Sequence, residues 1–285
     1  MGKKTPDAQR PPFGPYAAQA MHDFAALVSD VQDEAPVQAF LEHHPALVPG
    51  ALTPGSTSGH YPLHCALITQ PLLPGFRSRV PDFMWIATHS GTWYPTLIEI
   101  ESPRKRVFTK TGVPTAEFTQ ARTQLAQWRA WFQNPTNVQQ FMEAYGVPPE
   151  WRSGKSWQLH LILIYGQRSE FETSPELSTL RAALMTGPDE QLMSFDRLTA
   201  DPNLEATVMV KALGDGRFEA VWVPETFGTS SAIAASLHRI DGLTEAIARN
   251  DRISAARREF LNGRIAHWLE QAKSSGRRLL SLDLE

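Results

Sequence analysis

Three carboxylates carry the clearest chemistry in the sequence. Glu99 and Glu101, in the run TWYPTLIEIES (92–102), are two residues apart, so on a strand they project to the same side. Asp82 opens the preceding run, PDFMWIAT (81–88), and only His89, Ser90 and Gly91 separate the two runs, which is the spacing of a hairpin. Pairing them brings the Asp82 end alongside Glu99 and Glu101. Three acids so placed repel one another unless a divalent cation lies between them, and hard oxygen ligands suit Mg²⁺ or Mn²⁺. Taken alone, an E-x-E pair reads more simply as the solvated face of an amphipathic strand. The connection that follows, PRKRVFTKTGVP (103–114), sets Arg104, Lys105, Arg106 and Lys110 beside the acids. A polyanion suits such a loop, because each phosphate neutralised releases counterions. A charge run that merely balances the nearby acids is the plainer alternative.

The elements that must position these residues follow from periodicity. Apolar residues at helical spacing predict helices from Tyr16 to Val31, after Glu34 to about Pro45, from a Thr115 cap to about Gln133, over 137–145 and over 175–186. WQLHLILIYG (157–166) is the best buried strand and is expected at the centre of the sheet, with a further strand near 192–195. ATVMVKALGDGRFEAVWVP predicts a hairpin turning at Gly214, Asp215 and Gly216. Residues 1–15 read as a flexible arm and 49–62 as a loop. From Ser230 onward two apolar stripes, one through Ile233, Leu237, Ile240, Leu243 and Ile247 and one through Ile253 to Leu269, predict helices with a stop at Asn250-Asp251.

The order of Pro-Asp, strand, Glu-x-Glu, basic loop and a Gln-bearing helix resembles the PD-(D/E)XK nuclease superfamily. The blocks VQAFLEHHPALV (37–48), PDFMWI (81–86), TLIEIESPRKRVFTKTG (96–112) and FTQARTQLAQWRAWF (118–132), in that order, resemble the nuclease domain of the Shedu antiphage defence family over residues 33–200. The resemblance implies an α/β fold with a restriction-endonuclease-like core, a mixed sheet flanked by helices, and a helical C-terminal appendage. The corresponding divisions are an N-terminal arm and helix (1–32), a nuclease domain (33–226) and the appendage (227–285). It also implies that Asp82 and Glu99 hold metal, with the backbone carbonyl of Ile100 and the helical Glu42 as further ligands. Gln120 and Gln124, one helical turn apart on a face expected to be distinct from the Phe118–Trp128 stripe, would lie against the site, with Gln120 orienting it and Gln124 contacting nucleic acid. The family usually places Lys where this chain has Glu101. Glu there fits a metal-ligand or general-base role, with Lys105, Lys110 or Lys155 as a replacement cation.

Composition bounds the rest. The 285 residues carry 27 Lys plus Arg against 30 Asp plus Glu, a formal charge of −3 and 42% apolar residues. That excludes a mainly disordered chain and a globally basic coat protein. Cys65 is the only cysteine, so no intrachain disulfide forms and a reducing cytoplasm is expected. His60, His64 and Cys65 lack a fourth zinc ligand. No signal peptide or membrane span is expected. The reading is a Mg²⁺-dependent endonuclease acting on DNA, expected to self-associate through its C-terminal helices. The alternative is a catalytically inactive nuclease-fold module that binds nucleic acid or assembles a defence complex.

Overall fold

The computed structural model describes residues 8–52, 60–75, 80–172, 174–184 and 187–274. The arm before Ala8, the loop over 53–59, the 185–186 end of the helix expected at 175–186 and the C-terminal tail past Ser274 lie outside the described residues. A mixed sheet of nine strands organises the described residues. In chain order these are β1 (Ala66–Thr69), β2 (Phe83–Thr88), β3 (Thr92–Ile100), β4 (Ser156–Trp157), β5 (His160–Ile164), β6 (Glu190–Met193), β7 (Val208–Gly214), β8 (Arg217–Trp222) and β9 (Ile240–Asp241). Across the sheet the order is β6-β5-β3-β2-β1-β7-β8-β9, with β4 attached to β3. The helices are α1 (Phe13–Asp30), α2 (Ala35–His43), α3 (Ala116–Phe132), α4 (Pro135–Ala144), α5 (Pro149–Gly154), α6 (Pro175–Ala183), α7 (Ser231–Leu237), α8 (Leu243–Arg249) and α9 (Ala255–Ser274).

The expected hairpin is present. β2 and β3 pair antiparallel from Phe83↔Ile98 to Thr88↔Trp93, and β3 pairs parallel with β5 from Thr96↔His160 to Ile100↔Ile164. β5 is not central, however; only β6 lies beyond it. Its unbroken apolar run reports helices on both faces rather than position in the sheet. Helix α1 begins three residues before Tyr16, because Pro15 falls in the first turn, where its missing N–H is not needed.

Alternate residues feed two cores. Phe83, Trp85, Ile98, Ile100, Ile162 and Ile164 pack under α1 and α2. Met84, Ile86, Leu97, Leu161 and Leu163 face the other way, toward Phe118, Ala121, Leu125 and Trp128 of α3. Asp82 and Glu99 have the parity of this second set, so both belong to the α3 side of the sheet.

The C-terminal residues are built differently from a separate appendage. Two-residue β9 interrupts the expected helical stripe and pairs parallel with β8. The break comes where Gly242 adopts φ +72°, ahead of α8. Phe227, Ile233, Leu237, Ile247, Leu261, Ile265 and Trp268 are buried in the same core as α3 and the sheet. The apolar stripes expected to seek a second copy are therefore covered within the chain. No described helix is long and apolar enough to cross a membrane.

This packing predicts that residues 227–285 are needed for stability of the sheet. Leu261 is fully buried, so Leu261→Ala should cost about 3 kcal/mol in chemical denaturation. A chain ending at residue 226 should lose cooperative unfolding. A sharp transition near the wild-type midpoint in the shortened chain would contradict this.

Candidate active site

The site forms where the β2–β3 hairpin meets the turn after β3. Asp82 precedes β2, and its amide donates to the Ile98 carbonyl (3.1 Å), continuing the ladder by one residue. Its carboxylate accepts a hydrogen bond from the Ile100 amide (2.8 Å). Ile100 thus serves through its N–H while its side chain fills the α1–α2 core. Glu99, one residue earlier on β3, is 8% exposed, and its Oε2 is buried without a hydrogen-bond partner.

The two carboxyl groups are neighbours, and both have a raised proton affinity, Glu99 most strongly through burial and the charge of Asp82. Burial pushes Asp82 up to about 7; the Ile100 amide opposes this, and Glu34 and Glu101 reinforce it. Burial, then Asp82, then Glu101 and Glu34 hold Glu99 well above the usual carboxylate range. Desolvated like charges cost several kcal/mol unless neutralised. A proton would neutralise them, and a divalent cation would do the same. The unpartnered Glu99 oxygen beside a second carboxylate fits such an ion, although among the described residues no three His, Cys, Asp or Glu side chains are grouped to hold one as they stand.

Glu101 continues the ladder, its amide donating to the Ile164 carbonyl (3.0 Å). Its carboxylate is paired with Lys105 one turn of loop later. Lys105 is therefore the lysine that the fold delivers to the position next to the acids. Lys155 is not: it bonds Thr88 Oγ1 (2.7 Å) and the His89 carbonyl (2.5 Å), at the far end of the hairpin, about 20 Å of strand from Asp82. Lys110 is exposed in the loop.

The helical acid near the pair is Glu34 rather than Glu42. Glu42 accepts from Thr69 Oγ1 (2.6 Å), whereas the charge of Glu34 raises both Asp82 and Glu99. Glu34, at the start of α2, is half-buried and lifted by burial and by Glu101, with Lys105 opposing. It is held there because the linker before α2 is tied to the turn after β3. Ser102 Oγ donates to the Gln32 carbonyl (2.5 Å), and Arg104 donates to the Val31 (3.2 Å) and Ser29 carbonyls. In the sequence, Asp33-Glu34 gave no sign of this; only contact with residue 102 reveals it.

The two glutamines separate. Gln124 is buried with Ala121 and Trp128 on the inward face of α3, so it belongs to the apolar stripe, while Gln120 is exposed. Residue 124 lies three from Ala121 and four from Trp128, which places it on that stripe.

Much of the basic loop is bound to the protein itself. Glu170 accepts from the amides of Val107 and Phe108 (both 2.9 Å) and lies 3.7 Å from Arg106. The chain passes so close at Gly166 (φ +63°) that a Cβ there would sit 2.7 Å from the Lys105 carbonyl oxygen. Pro103, Arg104, Lys105, Arg106, Gln167, Ser169 and Glu170 line a cleft of about 290 Å³ beside the acids. His64 bonds Ser236 and the Tyr145 carbonyl, and Cys65 is buried; neither takes part in this site.

The family model described as "Shedu protein SduA, C-terminal" matches residues 31–199, more than half of the chain. The chain belongs to the Shedu family. No curated protein matches its sequence. The Shedu match takes in Glu34, Asp82, Glu99, Glu101, Lys105 and Gln124, and strands β1 to β6. It stops before β7, although β7 pairs directly with β1, so the Shedu segment completes its sheet with residues beyond it.

The buried pair predicts a pH signature. A carboxylic acid with a raised folded pKa favours folding while protonated and loses that advantage as pH rises from the unfolded value, near 3.8, to about 7 for Asp82. Asp82→Asn keeps an acceptor for the Ile100 amide and removes the charge. In EDTA its melting temperature should approach that of wild type near pH 4 and exceed it by ~5 °C or more above pH 7. A gap that does not widen with pH would contradict this.

Proposed function

We propose that the chain is a metal-dependent nuclease that hydrolyses phosphodiester bonds of DNA in bacterial antiphage defence, with a PD-(D/E)XK-type core. The observation that carries the reading is the buried Asp82–Glu99 pair with an unpartnered Glu99 oxygen. A structural protein has little reason to desolvate two acids together, because an apolar pair of similar volume packs at lower cost.

Asp82, Glu99 and the Ile100 carbonyl would hold Mg²⁺, for which Mn²⁺ would substitute. Such an ion would supply polarisation of the scissile phosphate and stabilisation of the leaving oxygen. Asp82 is kept oriented by the Ile100 amide. Glu101 accepts a proton from the attacking water, and Lys105, paired with it, brings positive charge to the phosphate where the family usually has Lys in the motif. Glu34 adds negative charge at the rim and favours cation entry. Gln124 steadies the inward face of α3, and exposed Gln120 and Lys110 are available to the nucleic acid.

The test is incubation with linear and circular DNA in Mg²⁺ and in Mn²⁺. Wild type should cleave, and Glu99→Ala should lose activity with both ions. Glu101→Ala and Lys105→Ala should each slow cleavage by ~100-fold, with Glu101→Ala leaving DNA affinity unchanged or slightly higher. Wild type that is inert with both ions, yet still binds DNA, would favour the second reading: a nuclease fold that kept its acids but lost chemistry with Glu at 101.

A further inference from the structure

The three consecutive cations Arg104, Lys105 and Arg106 do not supply an open phosphate track. Arg104 is engaged by the carbonyls that end α1, Lys105 by Glu101 and Arg106 by Glu170. Positive charge instead gathers on the far side of the 3₁₀ turn Arg168–Glu170. Ser169 and Glu170 of that turn line the cleft beside the acids, while Arg168 lines a second, larger cleft of about 580 Å³. Arg181 from α6 and Arg197, after β6, converge on the same space, floored by Phe171 and Ser194.

The three guanidinium groups are held in different ways. Arg181 lies over the Phe171 ring (5.1 Å) and donates one N–H to the Leu192 carbonyl (3.2 Å). Its Nε is buried without a partner. Burial, then the charge of Arg197, depress the Arg181 pKa, with Glu170 opposing. Arg168 and Arg197 are exposed, and neither guanidinium enters an ion pair among the described residues. Asp196 accepts the Arg168 amide (2.5 Å) rather than its side chain. Glu172 is the carboxylate on the cleft wall. Three like charges around one cleft repel each other, and a multivalent oxyanion with acceptors for several forked donors relieves this best.

We propose that this arginine cleft binds a backbone phosphate of the nucleic acid whose scissile phosphate meets Asp82 and Glu99. The polymer's identity rests on the nuclease reading; the phosphate chemistry does not. The two clefts share one 3₁₀ turn, so a strand leaving the acids past Lys105 and Arg106 reaches Arg168, Arg181 and Arg197 next. Arg168 and Arg197 act as phosphate anchors, and Arg181 is the fixed base between them.

The experiment measures affinity for a fluorescent DNA duplex by anisotropy in EDTA, over a salt series, for wild type and Arg168→Gln/Arg197→Gln. Both sites are exposed, and an unchanged melting temperature checks the fold; Arg197→Gln alone replaces the double variant if that fails to fold. The expected result is binding weakened about 10-fold, with a log–log salt slope shallower by about 1 to 2, the loss of one or two phosphate contacts. Arg168→Lys/Arg197→Lys should keep most of the slope. An unchanged affinity and slope would overturn the proposal. So would inorganic phosphate raising the melting temperature of wild type but not of the variant while DNA affinity stays the same, which would make the cleft a site for a free anion. Loss of slope in a protein that cleaves nothing would leave the cleft standing and remove only the nuclease reading.

Discussion

Desolvation of two neighbouring carboxylates is the constraint around which the rest of the structure is arranged. Asp82 and Glu99 lie on one side of a sheet whose two faces are both covered, and water cannot dissipate their charge. Such a pair persists only if its positions are fixed by stronger interactions elsewhere. The hairpin register supplies the first of these: the Asp82 amide on Ile98 and the Ile100 amide on the Asp82 carboxylate lock the acid to the strand it faces. The apolar neighbours on both faces supply the second. Leu97 and Leu163 pack toward α3, while Ile98 and Ile100 pack toward α1 and α2. Sliding the hairpin by one residue would reverse all of them at once.

The surrounding charges form a graded shell. Next to the pair lie Glu101 and Glu34, both acidic and both partly offset by Lys105. Farther out, Arg104 closes the C-terminal carbonyls of α1, a favourable end for a cation, and Glu170 gathers the loop amides. These contacts make the basic loop a scaffold that sets the positions of Glu34 and Lys105. Positive charge without an ion-pair partner among the described residues then appears one turn away, at Arg168 and Arg197. On the proposed function, a surface so divided would separate holding a metal from holding a polymer.

The local parts of this arrangement were legible in the sequence, and the parts that depend on distant packing were not. Asp82, Glu99 and Glu101 could be placed together because a three-residue turn and period-2 alternation determine hairpin geometry. The helix from the Thr115 cap was legible for the same kind of reason, and Thr115 does accept the Phe118 amide. β1 was missed because Ala66–Thr69 is too short to carry a periodic signal, and β9 because two residues inside an apolar stripe look helical until Gly242 breaks the chain direction. Glu42 was expected by position and Glu34 is found, because the choice rests on Ser102 and Arg104 tying a linker about 70 residues earlier in the chain. The second arginine cleft had no sequence signature at all: Arg168, Arg181 and Arg197 are far apart and meet only through tertiary folding.

The central claim is that the buried pair is a divalent-metal centre, and it is tested most directly by anomalous scattering from a crystal of the wild-type protein soaked in Mn²⁺. The account predicts an anomalous peak between Asp82 and Glu99, at about 2.1–2.3 Å from their carboxylate oxygens, with Glu99 Oε2 among the ligands. A crystal that shows Mn²⁺ only elsewhere, with none between the two carboxyl groups, would contradict it.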